Sequence, residues 1–173
     1  MVIPPILAAK LAARSTPESR RMPAQFPMEP FTGPVFSFPD GDGLWVSLNG
    51  RIIEVRLYGI DAPEWGQYYA RQSWLFLQSM VFAKPVTVYP VSRCVYGRLV
   101  GDVYGVTKHS ISLMMVLHGY AWYYRPYALH ATELRDAQRL ARINRRGLWA
   151  RPNPLPPWMW RHYPHLRRVT DDD

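Results

Sequence analysis

The sequence predicts an α+β domain built on a small antiparallel sheet or barrel, with an irregular segment at each end. β-forming segments come first and helical periodicities follow, which favours the α+β class. Of the 17 prolines, eight precede residue 40 and five follow residue 151, so that four remain for everything between. Because proline fixes φ and lacks an N–H, the ends are poor candidates for helix or sheet. The 173 residues therefore divide into a leader at 1–35, a domain at 36–150 and a tail at 151–173.

The first two predicted strands form a hairpin. Residues 44–48 and 51–57 are rich in β-forming side chains. Asn49-Gly50 between them suits the positive φ values of a type I′ turn. In the second strand Ile53, Val55 and Leu57 share one face, and Arg56 lies on the polar side.

The remaining elements follow in order. Apolar residues at three- and four-residue steps predict a helix over 67–82. Strands are predicted at 86–91 and 98–104, joined by a Tyr96-Gly97 turn. Ser110 is positioned to cap a helix through 118 that Gly119 ends, and Thr132 to cap a last helix to about 145.

Composition excludes several classes of protein. One cysteine, Cys94, rules out an internal disulfide framework and a multi-cysteine zinc site. No run approaches the length of a membrane-spanning helix, so no stable span is expected. The net charge of +8, carried mostly by arginine, suits a polyanionic partner: nucleic acid first and anionic lipid second.

The two ends each allow two interpretations. The leader has its cations late, and Lys10 interrupts its short apolar run, so no convincing signal peptide is present and a cytoplasmic location is favoured over export. In the tail, Trp158, Trp160 and Tyr163 lie among cations and could stack on nucleotide bases. A strap that packs these rings on the domain is the favoured alternative.

Four short clusters combine charge with a geometry-setting glycine or proline. They are Asp40-Gly41-Asp42, Arg56, Asp61-Ala62-Pro63-Glu64 and Tyr96-Gly97-Arg98. Each alone reads most simply as a turn or a cross-strand ion pair. Together they supply what phosphodiester hydrolysis requires: oxygen ligands for a hard divalent cation, a base for water, and guanidinium groups for phosphate charge.

The order and spacing of these clusters resemble the staphylococcal nuclease (thermonuclease) family over about residues 36–149, including the closing Gly147-Leu148-Trp149. The resemblance implies an OB-fold-type five-stranded β-barrel with three α-helices, between irregular Pro-rich extensions. It also implies Ca²⁺-dependent hydrolysis of DNA, and of RNA as well, with single-stranded or frayed substrates preferred. We expect a monomer.

The resemblance also implies a role for each site residue. Asp42, Asp61 and the carbonyl of Ala62 would hold the calcium ion, and Asp40 would orient that site from outside it. Glu64 would be the general base, and Arg56 and Arg98 would bind the phosphate. Substrate contacts are expected from three tyrosines: Tyr96, Tyr124 and Tyr127.

Three departures from the family pattern bear on rate and substrate preference. Gly43 stands where the family usually has threonine, and Cys94-Val95 stands where the staphylococcal member has an acidic residue and a lysine. The stretch after Glu64 is shorter and more aromatic. These departures leave open an OB-like module that binds nucleic acid or protein without catalysis. A third alternative is an accessory role in a membrane or surface-polysaccharide pathway, with the leader as an anchor.

Overall fold

A computed structural model describes residues 27–82, 84–94, 97–106 and 109–163. Seven strands occur in these residues: β1 Phe31–Ser37, β2 Gly43–Leu48, β3 Arg51–Leu57, β4 Ile60–Asp61, β5 Pro85–Arg93, β6 Leu99–Tyr104 and β7 Trp122–Tyr123. Five of the strands close a barrel in the order β1-β2-β3-β6-β5. The predicted α+β class and five-stranded barrel are confirmed.

The β2–β3 hairpin forms as the sequence predicts. Asn49 and Gly50 adopt φ values of 51° and 78°, and the ladder runs from Gly43 opposite Arg56 to Leu48 opposite Arg51. The apolar face of β3 is buried in the core.

The expectation of a purely antiparallel sheet is wrong for one pair of strands. β3 and β6 run parallel, with Val55 opposite Leu99 and Arg56 opposite Val100. This pairing closes the barrel and brings Arg56 of β3 near Arg98, which directly precedes β6.

The prediction of an irregular N-terminal segment is wrong for β1, the first barrel strand, because it treats proline as a breaker of regular structure. Pro34 lies opposite Pro85 of β5, so both rings lie where these two strands begin and end their pairing, positions that tolerate a missing N–H. Gly33 is required by close packing, because a Cβ there would lie 2.0 Å from the carbonyl oxygen of Ser47. The leader segment proposed for 1–35 therefore includes the first residues of the barrel.

Three helices match the predicted ones with shifted ends: α1 Ala70–Val81, α2 Ile111–Leu117 and α3 Thr132–Ile143. The Ser110 hydroxyl accepts a hydrogen bond from the amide of Leu113 and caps α2, as predicted. The predicted Thr132 cap is wrong: Thr132 is the first helical residue, and Ala131 before it makes no side-chain cap.

A fourth helix, α4 Pro157–His162, lies in the tail that was expected to be irregular. Pro157 begins it, a position where the missing N–H has no intrahelical partner to lose. Trp160 of α4 is buried on the domain, which supports the strap interpretation for the described part of the tail.

The main core fills the barrel and the faces of α1, α2 and α3 that pack on it, and a smaller cluster lies around Trp122 and Trp149. The two clusters are connected where the backbones of Gly119 and Gly147 are in contact. There the amide of Leu148, in the second cluster, donates to the carbonyl of Gly119 at 2.8 Å. None of the helices in the described ranges is both long and apolar enough to cross a membrane.

Candidate active site

A cavity of about 390 Å³ at one end of the barrel gathers the predicted site residues. Its lining includes Asp40, Asp42, Arg56, Ala62, Glu64, Arg98, Tyr124 and Tyr127, joined by Pro63, Cys94, Arg161 and His162. Asp61 lies directly behind this lining, 1% exposed, and is bonded to Arg56. Tyr96 lies outside the described residues, as does Val95 beside it. Six separate stretches of the described sequence thus meet in one cleft.

Arg56 on β3 holds the two buried aspartates together. Its Nη1 donates to Asp42 Oδ1 at 2.9 Å, and its Nη2 donates to Asp61 Oδ1 at 2.8 Å. The side chains of Arg56, Asp42 and Asp61 are 15%, 5% and 1% exposed, so the charges are largely withdrawn from water. Burial lowers the pKa of Arg56, but the two carboxylates raise the pKa more, and the guanidinium stays charged.

Asp42 connects the segment before β2 to the segment after β4. Its Oδ2 accepts a hydrogen bond from the amide of Ala62 at 2.8 Å, and its own amide donates to Asp40 Oδ1 at 3.2 Å. Asp40 therefore orients the backbone of Asp42. Burial raises the pKa of Asp42 to about 8, against the lowering effect of Arg56, so a further cation beside this carboxylate would stabilise its ionised form.

Backbone pairing fixes the position of Asp61 and Glu64. β4 pairs with β7, with Asp61 opposite Trp122, and the positive φ of Gly59, 74°, turns the chain between β3 and β4. The Glu64 amide donates to Gln67 Oε1 at 3.0 Å, while the Gln67 amide donates to the Glu64 carbonyl at 2.9 Å. The Glu64 side chain is 39% exposed and faces the cavity.

Gln67 was predicted to begin the first helix and instead precedes it. Its side-chain oxygen binds Glu64, and its Nε2 donates to the carbonyl of Leu155 in the C-terminal segment. Gln67 therefore positions Glu64 and anchors the tail, a double role that sequence periodicity does not reveal.

Arg98 lies where β6 begins and has a looser environment than Arg56. Its nearest acidic partner is Glu54, with Nη1 and Oε1 4.0 Å apart. Within the described residues its Nε is buried and lacks a hydrogen-bond partner. A buried donor without an acceptor is costly unless a ligand supplies one, so Arg98 has hydrogen-bonding capacity left for an anion.

Two of the predicted substrate tyrosines stand at the rim of the cavity. The rings of Tyr124 and Tyr127 meet edge to face with centroids 5.0 Å apart, and Tyr127 is 63% exposed. Tyr124 also contacts Trp158 of the tail, at 5.4 Å. By contrast, Trp122 of the same aromatic run is buried in the second cluster.

Arg161 of α4 is the site residue that sequence reasoning missed. Its Nη2 donates to Asp61 Oδ2 at 2.8 Å, and its Nη1 donates to Asp61 Oδ1 at 3.2 Å and to Glu64 Oε1. Asp61 is 100 residues away along the chain. The signals available in the sequence were Pro157, a residue type that often begins helices, and Trp160 and Arg161, which follow it at three- and four-residue steps.

Comparison with known proteins agrees with this geometry. Residues 54–151 match the family described as Staphylococcal nuclease homologue. The chain belongs to this family. It is 40% identical over 130 residues to an "Uncharacterized endonuclease" of Escherichia coli O157:H7. The alignment covers 75% of this chain and 84% of the relative. It is 36% identical over 140 residues to a "Micrococcal nuclease" of Shigella flexneri, and that alignment covers 76% of this chain and 80% of the relative.

Local packing explains why glycine, and not the threonine of the staphylococcal nuclease pattern, stands at position 43. A Cβ at this position would lie 2.7 Å from Asp40 Oδ1 and 2.8 Å from Pro39 Cγ. The turn formed by residues 39–42 therefore excludes the threonine that the family usually carries, unless the Asp40 side chain moves.

The donor chemistry of the site fits the hard divalent cation that the family resemblance implies. Asp42, Asp61 and the carbonyl of Ala62 offer only oxygen atoms, the ligands that calcium prefers. Arg161, a cation, already lies against Asp61 and Glu64, which shows that these carboxylates attract positive charge. In the described residues no three His, Cys, Asp or Glu side chains converge as a ready-made cluster, because Arg56 stands between Asp42 and Asp61.

Proposed function

We propose that the chain is a calcium-dependent nuclease that hydrolyses phosphodiester bonds of DNA and RNA by attack of water. Membership in the staphylococcal nuclease family, and relatives named as endonucleases and a nuclease, support nuclease activity. The single observation that carries the mechanism is the convergence of Arg56, Glu64 and Arg98 on one cavity beside two buried aspartates.

Phosphate binding falls to the two arginines. Among the described residues the buried Nε of Arg98 has no hydrogen-bond partner, and Arg56 lines the same cavity while Asp42 and Asp61 hold its Nη atoms. Guanidinium groups fixed before the substrate arrives stabilise charge that develops on the phosphoryl oxygens, without reorganising during the reaction. Arg56 is thus oriented by the carboxylates, and Arg98 is the more available donor.

Glu64 is the proposed general base. Its carboxylate is half-exposed in the cavity, where it can take a proton from a water molecule as that oxygen bonds to phosphorus. The bond from phosphorus to the 5′-oxygen breaks, and its electron pair stays on that oxygen, which takes a proton from solvent. The products are a 5′-hydroxyl and a 3′-phosphate, as the family resemblance implies. The backbone bonds between Glu64 and Gln67 hold the base in place.

Asp42, Asp61 and the Ala62 carbonyl would hold the calcium ion. When bound, such an ion supplies positive charge that polarises the phosphate. Asp40 keeps Asp42 oriented through the bond from the Asp42 amide.

Tyr124 and Tyr127 are proposed to stack on the unpaired bases that flank the scissile phosphate. Their edge-to-face pair lies at the cavity rim, and Tyr127 is exposed. Stacking tolerates any base, which suits a nuclease of low sequence specificity acting on single-stranded or frayed substrate.

Cleavage of single-stranded DNA by the full chain, with calcium present, tests the proposal. Glu64→Gln should lower the initial rate on the order of 10²-fold or more, the scale for loss of a general base. Glu133→Gln, which removes the same charge from an exposed position on α3, is the matched control and should retain the wild-type rate. Salt-dependent binding of DNA by the wild type without any product would instead favour the non-catalytic binding module.

A further inference from the structure

The C-terminal helix α4 places a charged side chain on the two carboxylates that are most important to the proposed function. Arg161 makes bonds of 2.8 and 3.2 Å to the two oxygens of Asp61, and a further bond to Glu64 Oε1. Burial lowers the pKa of Arg161, but Asp61 and Glu64 raise it more, so the side chain is a permanent cation in this position.

Contacts other than Arg161 hold the segment that carries it. The carbonyl of Leu155 accepts from Gln67 Nε2, Trp160 is 7% exposed, and the rings of Trp158 and Tyr124 are in contact. Apolar packing and the hydrogen bond from the Gln67 side chain therefore place Arg161 at the site. Its presence there is a consequence of how the tail folds.

Most of the lone pairs of the Asp61 carboxylate are occupied while Arg161 is bound. Its Oδ1 accepts from both Arg56 and Arg161, and its Oδ2 accepts from Arg161. Glu64, the proposed base, shares the same guanidinium. A divalent cation on Asp61 would need lone pairs that Arg161 occupies. Arg161 also occupies one of the two oxygens of the proposed base, Glu64 Oε1.

We propose that Arg161 is an intramolecular competitor of the catalytic cation, so that α4 restrains the site until a divalent cation displaces the arginine. Exposure distinguishes the two arginines on Asp61. The Arg56 side chain is 15% exposed and fixed between buried aspartates, whereas that of Arg161 is 39% exposed and can swing into solvent. The inference rests on the proposed function, because it assigns the cation to Asp61.

Calorimetric titration of the full chain with calcium chloride, without nucleic acid, tests this competition. Arg161→Gln should bind calcium more tightly, on the order of 5- to 150-fold, the usual range for coupling between two ligands. Arg161→Lys keeps the charge but cannot bridge two carboxylates with a planar fork, so its affinity should lie between those of the wild type and Arg161→Gln. Arg135→Gln is the matched control, because it removes the same charge from an exposed pair with Asp136, and it should bind calcium as the wild type does.

Calcium affinity that is equal or weaker in Arg161→Gln than in the wild type, while both still cleave DNA, would overturn the competition and leave the proposed function intact. That outcome combined with slower cleavage would assign Arg161 to the substrate phosphate. Failure of all four proteins to bind calcium, with cleavage unaffected by it, would instead remove the calcium-dependent function itself and the competition with it.

Discussion

At the scale of single residues, Arg56 and Arg98 differ in a way that the sequence does not show. The sequence predicts both as phosphate ligands, and both line the cavity. Arg56 additionally neutralises Asp42 and Asp61, which are almost fully buried. In the part of the chain that the structure describes, the ion-pair partner of Arg98 is Glu54, with Nη1 and Oε1 4.0 Å apart. We therefore expect one arginine to support both folding and catalysis, and the other to support catalysis alone.

Substitution of each arginine by glutamine separates these roles. Both variants should lose on the order of 10²–10⁵ in cleavage rate, the scale for one transition-state charge contact. Arg56→Gln should also lose about 3–5 kcal/mol of unfolding free energy, because the buried Asp42 loses its arginine partner and the buried Asp61 keeps only Arg161. Urea unfolding measures this loss, and equal stability of the two variants would contradict the distinction.

Gly43 is the residue that most directly tests the local packing. Gly43→Ala should cost about 1–3 kcal/mol, the usual penalty for overpacking, because its Cβ would contact Asp40 and Pro39. Gly105→Ala is the control, since the nearest atom to a Cβ there is the Met80 carbonyl oxygen at 3.6 Å. If urea unfolding shows no difference between the two variants, the turn at residues 39–42 is not as tight as described.

At the scale of elements, sequence patterns predicted the parts of the fold that local rules control. The Asn49-Gly50 turn and the Ser110 cap formed as expected, because each depends on residues close together in the chain. β1 and α4 were missed because proline was taken as a breaker in both. Pro34 lies opposite Pro85 and Pro157 begins a helix, and only tertiary packing distinguishes these positions from breaking ones.

In the candidate site, too, local sequence patterns predicted some residues, and tertiary packing determines the others. Four clusters within about residues 40–98 were predicted by their order, and the described members converge. Arg161 could not be predicted, since its contact with Asp61 spans 100 residues and depends on how the tail packs. Gln67 was assigned to a helix by periodicity, although its side chain serves Glu64 and Leu155.

Packing of α4 on the domain makes a prediction of its own. Trp160→Ala should cost about 3–5 kcal/mol, as for a large buried aromatic ring, if the tail unfolds together with the barrel. Phe82→Ala, at a residue that is 63% exposed, should change stability by about 0.5 kcal/mol or less. An unchanged urea midpoint for Trp160→Ala would mean that α4 unfolds independently.

At the scale of the whole molecule, alkaline stability should depend on Tyr104. Burial, a 2.9 Å hydrogen bond to Asp102, and the charges of Asp102, Glu133 and Tyr89 raise the pKa of Tyr104 to about 12. An unfolded tyrosine ionises near pH 10, so the unfolded state loses its proton first. The stability that Tyr104 contributes is complete below pH 10 and is lost as the pH rises to 12.

Tyr104→Phe removes this pH dependence. The difference in unfolding free energy between wild type and variant, measured in urea at several pH values, should move in favour of the variant between pH 10 and 12. A difference that stays constant over that range would contradict the assignment of the raised pKa to Tyr104.

The net positive charge of the molecule lies mainly outside the candidate site. Arg56, Arg98 and Arg161 lie among Asp40, Asp42, Asp61 and Glu64, so the cavity itself is close to charge balance. The net charge of +8 therefore resides elsewhere on the protein, where it can attract a polyanion over long range. Under the proposed function, long-range attraction of the substrate and contact with its scissile phosphate would involve different sets of charges.

The most direct test of the account is the initial rate of single-stranded DNA hydrolysis by the wild-type chain, first in excess chelator and then after calcium is restored. We expect no cleavage in chelator and full recovery with calcium, because the proposed reaction uses the ion to polarise the phosphate. Cleavage at an equal rate in both conditions would contradict it.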